Sequence, residues 1–567
     1  MRKRWRYVLL FCLVAVLAAA IVEIARLAPP LPQGSYVQID LGGSYREAPP
    51  SGLLGRLLRE RPGAFLDLLD LIRRIRDDAR IEGVVVRVTP LAIGWGKAQE
   101  IRAALLELAA AGKRVISLVE GESGAGTLEY YVASAAQAVY LAPASSVPLN
   151  GLAAQFLFLG GIWEKLDIEV NVEKIREYKT FGDMIANKEM TAAHREMANS
   201  LLDSMSAQIV ADIASARGMS AAEVRAWMDK APSTGRDLEA AKLSDGVKHL
   251  QDLETELTPE TPFIQAKEYA ASRRTRVPLS SRAKIAVVYA AGNIVTGEST
   301  HAPGQEIAGA DTLSEALRDV QEDDDIKAII LRVDSPGGSA LASDLIWRAT
   351  QSVRKRKPIV VSMSDVAASG GYYISAGADR IVADPGTMTG SIGVVSMRPY
   401  LRKFLRGLGI NSETITRGKF ADMNDVTSPL DAERRQRLTR EIEHVYEVFV
   451  DRVADGRKLS SERVNEIGRG RVWTGAQAKE IGLVDELGGF HVAEAAARAL
   501  AGIAADEETE LVFFPRSESF LGSLSELIDV ESRLRLPRLL QAATEALLLP
   551  FEEHSVLTLM PQRIEVR

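Results

Sequence analysis

The 567-residue sequence predicts an α/β protein in which one unit is written twice behind an N-terminal membrane anchor. Three observations predict it. Segments of the first part recur about 240 residues later, with little drift. In both copies, short β-branched apolar runs alternate with amphipathic helical patterns, as in a buried parallel sheet. An uncharged apolar run from Tyr7 to Val22 follows the basic start "MRKRWR".

The N-terminal segment comes first. Arg2, Lys3, Arg4 and Arg6 precede "YVLLFCLVAVLAAAIV". That run is near the ~20 residues that span a bilayer, and the basic cluster before it favours a cytoplasmic start with the remainder outside. "AAA" at 18–20 also fits a signal-peptide cleavage site, but the long run and its positive flank favour an uncleaved anchor over residues 1–28. "LAPPLPQG" at 27–34 is an extended linker.

The first unit is expected over 29–256 and the second over 283–510. "DDARIEGVVVRV" (77–88) recurs as "DDDIKAIILRV" (323–333), and "EYYVASAAQAVYLAP" (129–143) as "GYYISAGADRIVADP" (371–385). "YKTFGDM" (178–184) recurs as "GKFADM" (418–423). Each unit holds runs such as "VVVRV" or "AIILRV" and helices such as "LDLLDLIRRIRDD" (66–78). Residues 257–282, with Pro and charge and weak periodicity, are expected to be a linker. The extension 511–567 has no counterpart in the first unit, and 536–551 has an amphipathic helical pattern.

Composition excludes several functions. There are 69 basic and 76 acidic residues, for a net charge of −7, and no clustered basic face that would suit nucleic acid. The single cysteine, Cys12, precludes an intrachain disulfide. The six histidines are scattered. "EIEH" at 441–444 is better explained as a solvated helix face than as a metal pair, so neither a metal nor a cofactor is expected.

The two copies differ where chemistry could reside. The second reads "RVDSPGGSALASD" (332–344), a strand followed by Pro-Gly-Gly and a helix. Gly337 and Gly338 there could aim backbone N–H groups at an anion. The first copy has "RVTPLAIGWGKAQ" (87–99) instead. The second copy also has "SDVAASGGYYISAG", with Ser369 between small residues, where the first has Thr127. Joint loss of both features in one copy marks Ser369 as a candidate nucleophile and the Gly370 N–H as a further oxyanion donor. A serine needs a base, and no histidine lies in either motif. Lys179 and Lys419 occupy the same repeat position, and a buried lysine can serve if desolvation lowers its pKa. Asp365, Tyr372 and Tyr373 could line the site, although tyrosines there suit the core equally well.

These segments resemble signal peptide peptidase A, also called protease IV, in its long duplicated membrane-anchored form. The resemblance covers nearly the whole chain, including "DVAASGGYYISAGADRIVADPGTMTGSIGV" and "VWTGAQAKEIGLVDELGG". It implies a tandem crotonase/Clp-protease-like fold and a Ser–Lys dyad that degrades cleaved signal peptides and similar hydrophobic peptides. It assigns the nucleophile to Ser369, the base to Lys179 of the first copy, and a supporting contact to Ser391. It further implies a homotetramer on the periplasmic side of the inner membrane, held by residues 7–22, with Lys419 idle. Two rival functions are a crotonase-type acyl-CoA enzyme, which would use a carboxylate in place of the lysine, and an inactive membrane scaffold. Fluorophosphonate labelling separates the three.

Overall fold

The computed structural model describes residues 31–48, 64–121, 124–272, 282–302, 305–504, 507–515 and 557–559. The expected anchor at 7–22 and the helical pattern at 536–551 lie outside them. Among the described residues, no helix is long and apolar enough to cross a membrane.

Both copies fold as parallel sheets with helices between the strands. The first sheet has the spatial order Ala138–Leu141, Arg114–Val119, Ile81–Leu91, Ser35–Gly43, Ile264–Gln265, with every pairing parallel. Val84, Val85, Val86 and Val88 are all fully buried. Burial of successive residues covers both faces of the strand, so the run reads as continuously apolar rather than alternating. The second sheet has eight strands. Its central path is Thr509–Phe514, Ala283–Ala291, Ile326–Ser335, Ile359–Ala368, Met388–Gly390, Val472–Thr474. Only the last pairing on this path is antiparallel.

Two boundaries move relative to the sequence reading. Residues 264–272, placed in the linker 257–282, form a strand and the helix Ala266–Ser272 on the first sheet. Tyr269 is fully buried, and its hydroxyl donates to the Arg74 carbonyl at 3.0 Å. A segment this short anchors through two aromatics, Phe263 and Tyr269, and that is too little to show as periodicity. The C-terminal extension, expected from 511, begins inside the strand Thr509–Phe514. That strand is an edge of the second sheet and pairs in parallel with Ala283–Ala291.

A third sheet joins the copies. Glu169–Lys174 of the first runs antiparallel to Val395–Tyr400 of the second, in register from Val395 opposite Lys174 to Tyr400 opposite Glu169. Trp163, Phe181, Ile185, Val395 and Met397 are buried together beneath this ribbon. Burying each large apolar side chain contributes roughly 1.5–3 kcal/mol. Lys179 lies just beyond Lys174, and Ser391 just before Val395, so this one pairing brings both toward the same place.

Candidate functional site

Ser369 follows the strand Ile359–Ala368 and precedes the short helix Gly370–Ser375. Its backbone has φ 56° and ψ −113°, a left-handed conformation that costs a non-glycine residue of order 1–3 kcal/mol. Two main-chain bonds hold it there: Ser369 N–H to Gly390 O, and Tyr373 N–H to Ser369 O, both 2.8 Å. Small neighbours permit the turn, and a Cβ on Gly371 would lie 2.6 Å from the Ser335 carbonyl.

Lys179 arrives from the first copy. Its Nζ lies 2.6 Å from Ser369 Oγ, 3.0 Å from Ser391 Oγ and 3.1 Å from the Ser391 carbonyl. All three residues are fully buried. Desolvation alone holds the Lys179 pKa well below the ordinary lysine range. Among the described residues, no carboxylate offsets it.

The Pro-Gly-Gly turn lies beside this pair. Gly337 and Gly338 have φ of 108° and 155°. A side chain at Gly338 is excluded, because a Cβ there would meet the Ile294 carbonyl at 2.0 Å. The Gly337 N–H donates to Ser335 Oγ at 3.2 Å, so this donor is turned onto its own loop. The strand Leu557–Leu559, from the C-terminal extension, pairs antiparallel with Gly337–Ser339, and Leu557 also bridges to Val395.

The other residues singled out by sequence lie elsewhere. The Lys419 side chain is 68% exposed and pairs with Glu433 at 2.5 Å, so the structure does not bring it to Ser369. Thr127, at the position repeat-equivalent to Ser369, donates to the Gly151 carbonyl at 3.0 Å. The Tyr372 hydroxyl donates to Leu483 O at 2.9 Å and the Tyr373 hydroxyl to Asp344 at 2.7 Å. Tyr130 and Tyr131 make the matching bonds to Leu243 O and Asp212 in the first copy. These tyrosines are repeat-core residues. Asp365 caps a first-copy helix instead of lining the site, accepting from the N–H groups of Gly94 at 2.9 Å and Lys97 at 2.8 Å.

Sequence reasoning missed the buried charges where the copies meet. Arg332 bonds Glu47 at 2.9 Å and Glu100 at 2.7 Å, joining the second copy to two carboxylates of the first. Its counterpart Arg87 pairs with Glu120 at the surface. The two arginines hold the same repeat position, each before a valine, and the apposition of the copies gives them different partners.

Comparisons with known proteins agree with this architecture. The model of Peptidase family S49 matches twice, over residues 107–261 and 351–504. The chain is 35% identical to the chloroplastic serine protease SPPA of Arabidopsis thaliana, over 81% of this chain and 69% of that protein. It is 32% identical to Protease 4 of Salmonella typhi, over 90% of this chain and 84% of that one. Against Protease 4 of Haemophilus influenzae it is 32% identical, over 75% and 71%. A ClpP1 variant of Listeria monocytogenes aligns with a TM-score of 0.25 and 16% identity, over 36% of this chain and 93% of its own, too slight a likeness to argue from. With the family domain matched in both copies and relatives aligned over most of their length, the chain belongs to Peptidase family S49 and is a serine peptidase carrying that domain twice.

Proposed function

We propose that the chain is a Ser–Lys endopeptidase that cuts cleaved signal peptides and similar hydrophobic peptides, with Ser369 as nucleophile and Lys179 as general base. One observation carries the reading: a fully buried lysine, with no carboxylate partner among the described residues, lies 2.6 Å from Ser369 Oγ.

A neutral amine has two N–H donors and one lone pair. Ser391 O and Oγ take the two donors, which leaves the lone pair for the Ser369 hydroxyl. Lys179 then accepts the Oγ proton as Oγ attacks the scissile carbonyl carbon. The Gly370 N–H is the donor for the resulting oxyanion, and the Pro-Gly-Gly backbone flanks it. The Lys179 ammonium returns its proton to the departing amine, leaving an acyl-Ser369. Water, deprotonated by the same amine, hydrolyses the ester and regenerates the hydroxyl.

Peptides would bind as an added strand in the place that Leu557–Leu559 takes on Gly337–Ser339, displacing it. The antiparallel strand Leu557–Leu559 on those residues supports this mode. The substrate class draws on relatives, among them a protein of Enterococcus faecium described as a signal peptide peptidase SppA, 34% identical over 45% of this chain and 71% of its own. Membrane anchoring through residues 7–22, a periplasmic catalytic body and a homotetramer complete the reading. Ser369→Ala should abolish cleavage of a hydrophobic peptide ester without changing assembled size. Protease added to spheroplasts should digest the catalytic body. Cleavage by the alanine variant at more than a trace rate refutes the nucleophile, and full protection in spheroplasts refutes the topology.

A further inference from the structure

Lys97 belongs to the first copy's counterpart of the Pro-Gly-Gly turn, in the helix Trp95–Ala110. Its Nζ is buried and reaches into the second copy, 2.5 Å from Asp334 and 3.1 Å from Asp365. Glu47 of its own copy lies 3.0 Å away. Both second-copy carboxylates sit on strands that lead into the site. Asp334 stands just before Ser335-Pro336-Gly337, and Asp365 just before Val366-Ala367-Ala368-Ser369.

The sheet between these two strands is broken at that point. Val333 pairs with Met363 but Ser335 pairs with Ala367, so the second strand carries two extra residues. A bulge of this kind removes ladder bonds and bends its strand. Side chains bridge the gap instead. Asp334 accepts from the Val366 N–H at 3.1 Å. Lys97 links Asp334 to Asp365. Close approach of the helix start makes this possible, since a Cβ on Gly94 would lie 2.4 Å from Asp365, and one on Gly96 would lie 2.7 Å from the Ser364 carbonyl.

We propose that Lys97 is a positioning residue for the Ser369 centre: its ammonium, held against Asp334 and Asp365 across the bulge, sets the distance between the Pro-Gly-Gly turn and the nucleophile. The turn that lacks the Pro-Gly-Gly in the first copy thereby supports the turn that keeps it. The inference rests on the reading of Ser369 and Lys179 given above. Stability alone is a weak reason to keep such a group, because buried ion pairs are often replaced by apolar side chains without loss.

The test uses the full chain and one hydrophobic peptide substrate. Lys97→Met should lower kcat by about 10- to 100-fold, the scale of a small misplacement at a reacting centre, with KM within about twofold. The double variant Lys97→Met/Asp334→Asn removes the charge imbalance and keeps an acceptor for the Val366 N–H. It should assemble like the wild type and still show the low kcat. A double variant with wild-type kcat would reduce Lys97 to charge balance, and one that fails to assemble would make it a stability element; either overturns the proposal. So does an unchanged kcat in Lys97→Met while Ser369→Ala is inactive. Activity in Ser369→Ala would instead overturn the reading of the site itself.

Discussion

Replacing Lys179 by methionine separates its chemistry from its packing. The side chain keeps nearly the same length and loses only the amine and its contacts to Ser369 and Ser391. Loss of a general base removes at least about 10²–10⁴ of the rate, and more where groups act as a unit. Stability should move the other way. Burial depresses the folded-state pKa of Lys179, while the unfolded chain retains the ordinary value near ~10.4. Between those two values the unfolded state binds one more proton than the folded state. Wild-type stability therefore climbs with pH by up to about 1.4 kcal/mol per unit, and is lost again as pH falls toward the folded-state pKa. Lys179→Met has no proton to shed on folding. It should be the more stable protein at neutral pH, with the gap closing as pH rises toward 9. Urea midpoints of both proteins between pH 7 and 9, with peptide turnover measured alongside, give the comparison. Parallel midpoints across that range would mean that Lys179 stays charged when folded, and the base assignment would fall.

Other perturbations follow from the same geometry. Lys419→Ala removes only an exposed pair with Glu433, worth about 0–1 kcal/mol, and turnover should stay within about twofold of wild type. A loss comparable to that of Lys179→Ala would show that the second copy supplies its own base. Gly338→Ala would place a Cβ 2.0 Å from the Ile294 carbonyl, so the turn must shift; turnover should fall at least about tenfold, and the melting temperature should fall with it. Equal kcat in that variant would remove the turn from the oxyanion assignment. Cleavage should rise with pH as the Lys179 ammonium deprotonates, and a profile flat from pH 5 to 10 would exclude an amine base.

Much of the architecture was legible because the duplication served as its own control. Apolar runs such as "VVVRV" and "AIILRV" mark buried parallel strands, and the pairwise match of the copies shows the duplication, while the spatial order of the strands comes only from the structure. The lopsided decay drew attention to Ser369 and to Gly337–Gly338. Repeat position alone left Lys179 and Lys419 equal. The preference for Lys179 rests on the lopsided decay of the repeat and on the family resemblance, and in the structure the two differ because only the first copy's strand Glu169–Lys174 pairs with Val395–Tyr400. Such a pairing between distant segments leaves no local pattern, since each strand is short and half-polar. Lys97 was hidden for a related reason. In "GWGKAQ" it looks like an ordinary helix lysine, and its partners Asp334 and Asp365 lie in the other copy. The strand Leu557–Leu559 is three residues long and gave no signal by itself.

The central claim, that Ser369 is activated by the first copy's lysine, is tested most directly by locating a fluorophosphonate adduct. Wild type, Lys179→Ala and Lys419→Ala should be labelled side by side, digested, and the modified peptide sequenced by mass spectrometry. The account predicts an adduct on Ser369 in the wild type and in Lys419→Ala, formed at similar rates, and essentially none in Lys179→Ala. Labelling of Lys179→Ala at the wild-type rate, an adduct on a serine other than Ser369, or a blank in Lys419→Ala alone would contradict it.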